Sequence, residues 1–415
     1  MRRSNFIAIA VSVLIFGGRT ALPGDLLDRV NDALSIRDPQ HQFQLQLSGL
    51  LDFEGYFIDQ SAPALIETDD SLLFSPRLSI FLDAQWTNHF YFFAQARVDR
   101  GFDPSDQGAQ VRLDEYFLRY TPLDHPWVSF QIGKFATVVG NWVQRHYSWD
   151  NPFINAPLPY ENLTGIWDVA APDNTEVLLY WGHVGKYETG DYSTKYLQLP
   201  IIWGPSYASG FSISGTIDKF DYAVEMKNSA LASRPDSWDA TEVNWGHPTF
   251  SGRVGFRPNE MWNLGVSASA GPYLLSEAAP TLPPGRGISD YRELVLGQDI
   301  AFAWRHLQLW AEIYQTRFQV PRIGNADSLA YYLEGKYKIT PQLFGALRWN
   351  QQLFDTVPAG NQLVQWGNDV WRVDAAVGYR FTNYLQGKIQ YSFSHQHTRI
   401  QEGEQLIGAQ LTIKF

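Results

Sequence analysis

Charged side chains at alternating positions are the residues here whose types and spacing could do chemistry. Arg77, Arg97, Arg119, Arg348 and Arg372 recur on the polar rows of long alternating stretches, with Glu115 among the acids. Arg145, His146 and Asp150 fall in an interior connection rich in Gly, Trp and Tyr. Such a set can pair with, hydrate or steer a passing ion, but it offers no activated nucleophile. The 415 residues contain no cysteine, which excludes thiolate metal sites, disulfides and Cys nucleophiles together. G-x-S-x-G, a Walker A sequence, G-x-G-x-x-G after a strand and H-E-x-x-H do not occur. The run Gly210, Ser212, Ser214, Gly215 has the wrong spacing for a nucleophile turn, and the pair His395 and His397 has no evident third ligand. No catalytic residue, cofactor or metal is expected, and the chain is not expected to be an enzyme.

The net charge of -11 argues against nucleic acid, which needs a basic face. A mean hydropathy of -0.25 excludes a helical membrane protein, yet aromatics reach 15%. Amphipathic rings in such number suit a membrane interface or a carbohydrate site.

The elements that would position these residues have a period of two. Phe43, Leu45, Leu47, Gly49, Leu51 and Phe53 alternate with Gln44, Gln46, Ser48, Asp52 and Glu54. The last stretch sets Gln405, Ile407, Ala409, Leu411, Ile413 and Phe415 against Glu404, Leu406, Gly408, Gln410, Thr412 and Lys414. About eighteen such strands are predicted, with sixteen as the other even count, and two of the eighteen fall near 164–171 and 175–183. Short connections such as Thr87-Asn88, Asp218-Lys219, Arg305-His306 and Thr382-Asn383, with Pro172 to Asn174 counted among them, alternate with long ones at 136–163, 183–208, 228–248 and 272–290. An open sheet with this apolar row would leave unpaired edge groups in lipid, so closure is the economical solution. The expected fold class is all-β, a transmembrane antiparallel β-barrel with short turns at one end and long loops at the other. Trp86, Phe90, Phe256, Trp262, Trp304, Phe381, Tyr384 and Phe415 are expected to form an aromatic girdle beside the short turns, and Tyr56, Trp181, Tyr291 and Trp371 one at the opposite strand ends. Charges on the polar rows are expected to stay hydrated in a water-filled lumen.

Three segments precede or compose this barrel. Residues 1–21 carry Arg2 and Arg3, an apolar run from Phe6 to Phe16, and small residues to Ala21, the order of a secretory signal peptide. Residues 22–42 form a short segment with Leu26, Leu27, Val30 and Leu34 at helical spacing. The barrel is expected to occupy 43–415, with an inward-folded third loop at 136–163.

Two stretches carry a resemblance to known proteins. The alternating ending that stops on Phe415 resembles the closing strand of Gram-negative outer-membrane proteins, in which a terminal Phe is read by the insertion machinery. W-V-S-F-Q-I-G-K-F at Trp127 to Phe135, then Gly140, Trp142, Arg145, His146, Asp150, Asn151 and Phe153, and L-P-Y-E-N-L-T-G at Leu158 to Gly165, resemble the phosphate-selective porins, the outer-membrane porins O and P. Ile132, Gly133 and Phe135 match that family's strand-end motif, whereas Lys134 stands where it often has Gln, and Ala136 where it often has Lys. The resemblance implies a homotrimer of eighteen-stranded barrels in the outer membrane, among its lipid and lipopolysaccharide. It also implies that loop three narrows the lumen for small hydrophilic solutes or phosphate-like anions.

Carboxylates interleave with the arginines, so the residues themselves point to a general or mildly anion-preferring pore, with Arg119, Arg145, His146 and Arg348 near the constriction. Trp142, Tyr147, Trp149 and Tyr160 could instead form a stacking path for a sugar or organic acid. Readings from other classes are a secreted carbohydrate-binding β-protein and an outer-membrane lipid enzyme. The enzyme would need a Ser or His site at the lipid-facing rim, which the sequence does not show.

Overall fold

The computed structural model describes residues 28–30, 33–38, 40, 42–59, 71–100, 109–183, 197–239, 245–396 and 403–415. The predicted signal peptide lies outside the described residues. Chain order gives β1 (Ser35–Arg37), β2 (Phe43–Ile58), β3 (Leu72–Trp86), β4 (Phe90–Asp99), β5 (Gln110–Tyr120), β6 (Ser129–Lys134), β7 (Ser209–Ile217), β8 (Phe220–Lys227), β9 (Thr249–Phe256) and β10 (Trp262–Pro272). There follow β11 (Arg292–Trp304), β12 (Leu307–Val320), β13 (Gly324–Lys338), β14 (Leu343–Phe354), a hairpin of β15 (Thr356–Ala359) and β16 (Gln362–Gln365), β17 (Val370–Arg380), β18 (Leu385–Gln396) and β19 (Gly403–Lys414).

Every barrel strand pairs antiparallel with its neighbours. β19 joins β2, and β9 joins β10, so the ring closes with sixteen strands once β1 and the β15–β16 hairpin are set aside. Sixteen is the smaller of the two expected counts. The missing pair is the one expected at 164–171 and 175–183. Thr175–His183 is instead a helix, α1, begun by Asn174, whose Oδ1 accepts from the Val177 N–H at 3.0 Å. Pro172 to Asn174 is therefore a helix start and not a hairpin turn. Residues 164–171 make no named strand, only an isolated bridge from Trp167 to Gln198. One connection thus runs from 135 to 208.

The amino-terminal segment also differs in part from its expected helix. Residues 28–30 are helical, but Ser35–Arg37 pairs with Gln44 to Gln46 of β2. β19 covers β2 only from Ile58 down to Leu50, so the lower part of β2 would otherwise present an open edge. β1 occupies that edge, and the Leu47 N–H donates to Leu34 O at 2.9 Å. Phe415 sits at the junction. It exchanges backbone hydrogen bonds with Gly49 at 2.8 and 3.1 Å, and a Cβ on Gly49 would meet the Phe415 ring at 2.3 Å. Glycine is what admits the ring.

The period-two rows segregate as their chemistry requires. Leu347, Ile389, Val266 and Val254 point outward and are exposed, while Arg348, Lys388, Ser267 and Arg253 point into the lumen. Trp86, Phe90, Trp262, Trp304 and Phe381 are exposed beside the short turns, as a girdle should be. The opposite girdle includes the expected Trp371 but is otherwise made largely by other residues. Tyr56 is buried on the lumen face and Trp181 stacks on Trp167 within the long connection, whereas Phe57, Phe74 and Phe250 are exposed outward and Trp349 stacks on Trp371 at 5.4 Å.

The apolar core lies inside the barrel. Val139, Trp142, Tyr160, Leu163, Ile201 and Trp203 of the long connection pack against Tyr314, Phe318, Ala326, Ala330 and Tyr332 on the lumen face of β12 and β13. A lumen-filling insert, rather than open water, covers that side of the wall.

Candidate functional site in the barrel lumen

The insert leaves β6 through Gly133, whose φ of 143° suits glycine and where a Cβ would meet Tyr116 O at 2.2 Å. It then turns at Gly140 with φ 78°, so tightly that a Cβ would lie 2.1 Å from the Tyr314 hydroxyl. Glu312 on β12 receives this turn: it accepts from the Asn141 N–H, the Trp142 N–H at 2.7 Å and the Tyr160 hydroxyl at 2.6 Å. With the Tyr314 hydroxyl donating at 3.1 Å as well, one carboxylate satisfies four buried donors.

A seam of ion pairs fastens the insert to β13 through β18. Arg145 donates to Glu334 at 2.5 Å and lies over the Trp310 ring at 4.3 Å. Arg348 has no solvent exposure; it donates to Asp374 at 2.7 Å and to the Asn155 side chain at 2.6 Å. Arg372 pairs with Asp374 at 3.0 Å and with Glu161 of the insert. The Lys388 ammonium donates to three insert carbonyls, Ser148, Asn151 and Phe153, at 2.7, 2.9 and 3.2 Å. Buried charges persist when each has a partner and remaining donors are satisfied. The expectation of hydrated charges in an open lumen therefore fails on this side of the barrel.

The side lined by β2 through β9 is different, because two cavities remain between insert and wall. The one nearer the long connections has a volume of about 170 Å³ and is bounded by Asp52, Glu54, Arg77, Arg97 and Asp99 on the wall. The one nearer the short turns, about 610 Å³, is bounded by Glu115, Arg119, Gln131, Asp221, Arg253 and Arg257. His146 and Tyr147 line both. Together they stand between the two spaces.

Five of the nine residues singled out from sequence line these cavities. Arg77 pairs with Asp52 at 3.1 Å and Glu54 at 2.5 Å, and Arg97 with Asp99 at 2.6 Å. Glu115 accepts from the Ala136 N–H at 3.2 Å. Arg119 donates to Gln131 at 2.8 and 3.0 Å, packs by the Phe117 and Tyr91 rings, and has no carboxylate within ion-pair distance among the described residues. His146 holds its Nδ1 at 2.5 Å from Val143 O and its Nε2 at 2.6 Å from the Tyr207 hydroxyl, so the neutral ring donates from Nδ1 and accepts at Nε2. Burial pushes its pKa down to about 4, with Arg97 and Arg77 adding to the shift and the Val143 carbonyl opposing it. The other four lie elsewhere. Arg145, Arg348 and Arg372 belong to the seam, and Asp150 is exposed in a turn where its N–H donates to Tyr147 O at 3.0 Å.

Sequence reasoning did not single out Trp203 or Pro205, which also bound the smaller cavity. They follow the apolar run Leu199 to Ile202, which has no helical or strand period to signal a lumen position. No group of three His, Cys, Asp or Glu side chains with metal-binding geometry occurs among the described residues. His395 packs on Trp371 at 5.4 Å, and His397 lies outside the described residues.

No protein-family model matches the sequence, and no curated protein matches it. Among solved structures the chain is similar to OmpF of Salmonella typhi in complex with daunomycin, with TM-score 0.55 and 11% identity over 92% of this chain and 100% of that one. It is similar to an anion-selective porin from Comamonas acidovorans, with TM-score 0.54 and 8% identity over 90% and 100%. It is also similar to the trimer form of in-vitro folded OmpT, an outer membrane protein of Vibrio cholerae, with TM-score 0.53 and 11% identity over 90% and 99%. At such identities the likeness is one of fold, a closed antiparallel barrel.

Proposed function

We propose that this chain is an outer-membrane channel through which small hydrophilic solutes or ions diffuse passively. The single observation that carries this reading is the pair of cavities on either side of His146 and Tyr147, set in a barrel whose outward rows are apolar. The mechanism is size exclusion at that junction with electrostatic filtering on either side, and it involves no covalent step.

The filter changes sign along the path. Asp52, Glu54, Asp99 and Glu161 outnumber Arg77 and Arg97 around the smaller cavity, whereas Arg119, Arg253 and Arg257 outnumber Glu115 and Asp221 around the larger. A strongly anion-selective pore needs an unbroken cationic lining. The mixture supports weak overall selectivity, with any anion preference supplied by the larger vestibule, and gives no support to phosphate specificity. The short turns then face the periplasm and the long connections the exterior, with lipid and lipopolysaccharide around the wall after signal-directed export. A homotrimer is supported by the trimer form described for the Vibrio cholerae protein of similar fold.

Liposome swelling with neutral sugars and organic anions of graded size tests the proposal. Swelling should fall steeply with solute size and only weakly with charge sign. Folded protein in the bilayer that admits no small solute would refute it.

A further inference from the structure

The larger cavity is bordered by an arginine to which the protein gives no carboxylate. Arg77, Arg97 and Arg253, on the same side of the lumen, each hold at least one. Arg119 holds none among the described residues: its Nε and Nη2 both donate to Gln131 Oε1, and its guanidinium lies over the Phe117 and Tyr91 rings at 5.2 and 5.6 Å. Gln131 therefore takes the side edge of the guanidinium, and the end-on fork of the two Nη groups is left. The Nη1 of that fork has no hydrogen-bond partner among the described residues and stays within reach of solvent, unlike the partnerless Nη1 of Arg348, which is buried.

The wall beside Arg119 is low. Gln131 pairs in register with Ser212, and Ser129 with Ser214, which faces Ala223 on the next strand. Short side chains thus floor a cavity of about 610 Å³, with room for about twenty waters at ~30 Å³ each, so a small ion enters it still hydrated. Arg257, its side chain 57% exposed, adds a second cation to the rim four strands further round. A planar carboxylate matches the end-on fork of a guanidinium with two parallel hydrogen bonds. Glu115 and Asp221 border the same cavity and repel a second negative charge. We propose that this vestibule binds small organic monocarboxylates at Arg119 and discriminates against dianions such as sulfate. The inference deepens the channel reading and rests on it for passage, while the binding itself is measured without any flow.

The test is a ligand-observed NMR titration of the folded full-length protein in detergent micelles with lactate and with sulfate as competitor, beside single-channel recording of the same preparation. Lactate should saturate with a Kd of about 1–10 mM, and sulfate should bind at least about tenfold more weakly, a difference of ~1.4 kcal/mol. Arg119→Lys, which keeps the charge and loses the fork, should weaken lactate about tenfold. Gln131→Glu, which keeps the side-chain size and sets a carboxylate against Arg119, should weaken it as much. That variant decides the matter if Arg119→Lys does not regain the folded, heat-modifiable mobility. No saturation up to about 100 mM lactate, sulfate binding as tight as lactate, or unchanged lactate binding in the folded variants overturns the site. Conductance without lactate binding defeats the site alone, whereas binding without conductance defeats the channel reading and leaves the site standing.

Discussion

Arg348 and Arg77 occupy equivalent places on the polar rows, yet the structure gives them different tasks. Arg348 is fully buried between Asp374, Glu334 and Asn155, so Arg348→Ala would remove one of two arginines from each of two buried carboxylates, leaving Asp374 to Arg372 and Glu334 to Arg145, and should cost about 3 kcal/mol in urea unfolding from micelles. Arg77 keeps a fifth of its side chain in water, and Arg77→Ala should cost clearly less because Asp52 keeps a donor from Thr412 and Glu54 keeps donors from Tyr56 and Gln410. That distinction was invisible in the sequence. Alternation reveals which residues face the lumen, but which of them are covered depends on where a distant insert docks. His146 makes a pH prediction. Its pKa of about 4 lies below the ordinary ~6.5, so the neutral ring is favoured in the fold; the stability it contributes is present above about pH 6.5 and is lost as pH falls through about 4. Channel current should change as pH falls through about 4, and His146→Gln should shrink that step.

At the scale of elements, the sixteen strands were legible because each carries its own alternating row and short turn. The two false strands were not resolvable that way. A short apolar run such as Val177 to Trp181 suits a buried strand or a helix equally, and the discriminating sign was the Asn174 cap that precedes it. The resemblance across Trp127 to Gly165 did point to an inward loop, but nothing local disclosed that the insert runs on to 208. Strand β1 was hidden by helical spacing that ends just before it pairs. Ile36→Pro removes a ladder donor from β1 and should lower stability by about 1 kcal/mol, read as a shift in the urea midpoint, with the barrel still closed. A shift as large as that of Arg348→Ala would mean that β1 does more than cover an edge.

For the whole molecule, the closed wall and the insert divide one lumen into a packed side and a side that keeps two cavities. The packed side is held by an apolar core and a seam of paired charges; the other side keeps two cavities that both have His146 and Tyr147 in their walls, the point at which a channel would narrow. Because the chain has no cysteine, a single introduced thiol reports on one position without background. Tyr147→Cys channels in a planar bilayer, treated with a methanethiosulfonate reagent from either face, should lose most of their current. Ala330→Cys, placed beneath the insert's apolar core, should be unaffected. Full current through a Tyr147→Cys channel whose thiol has reacted would contradict the account.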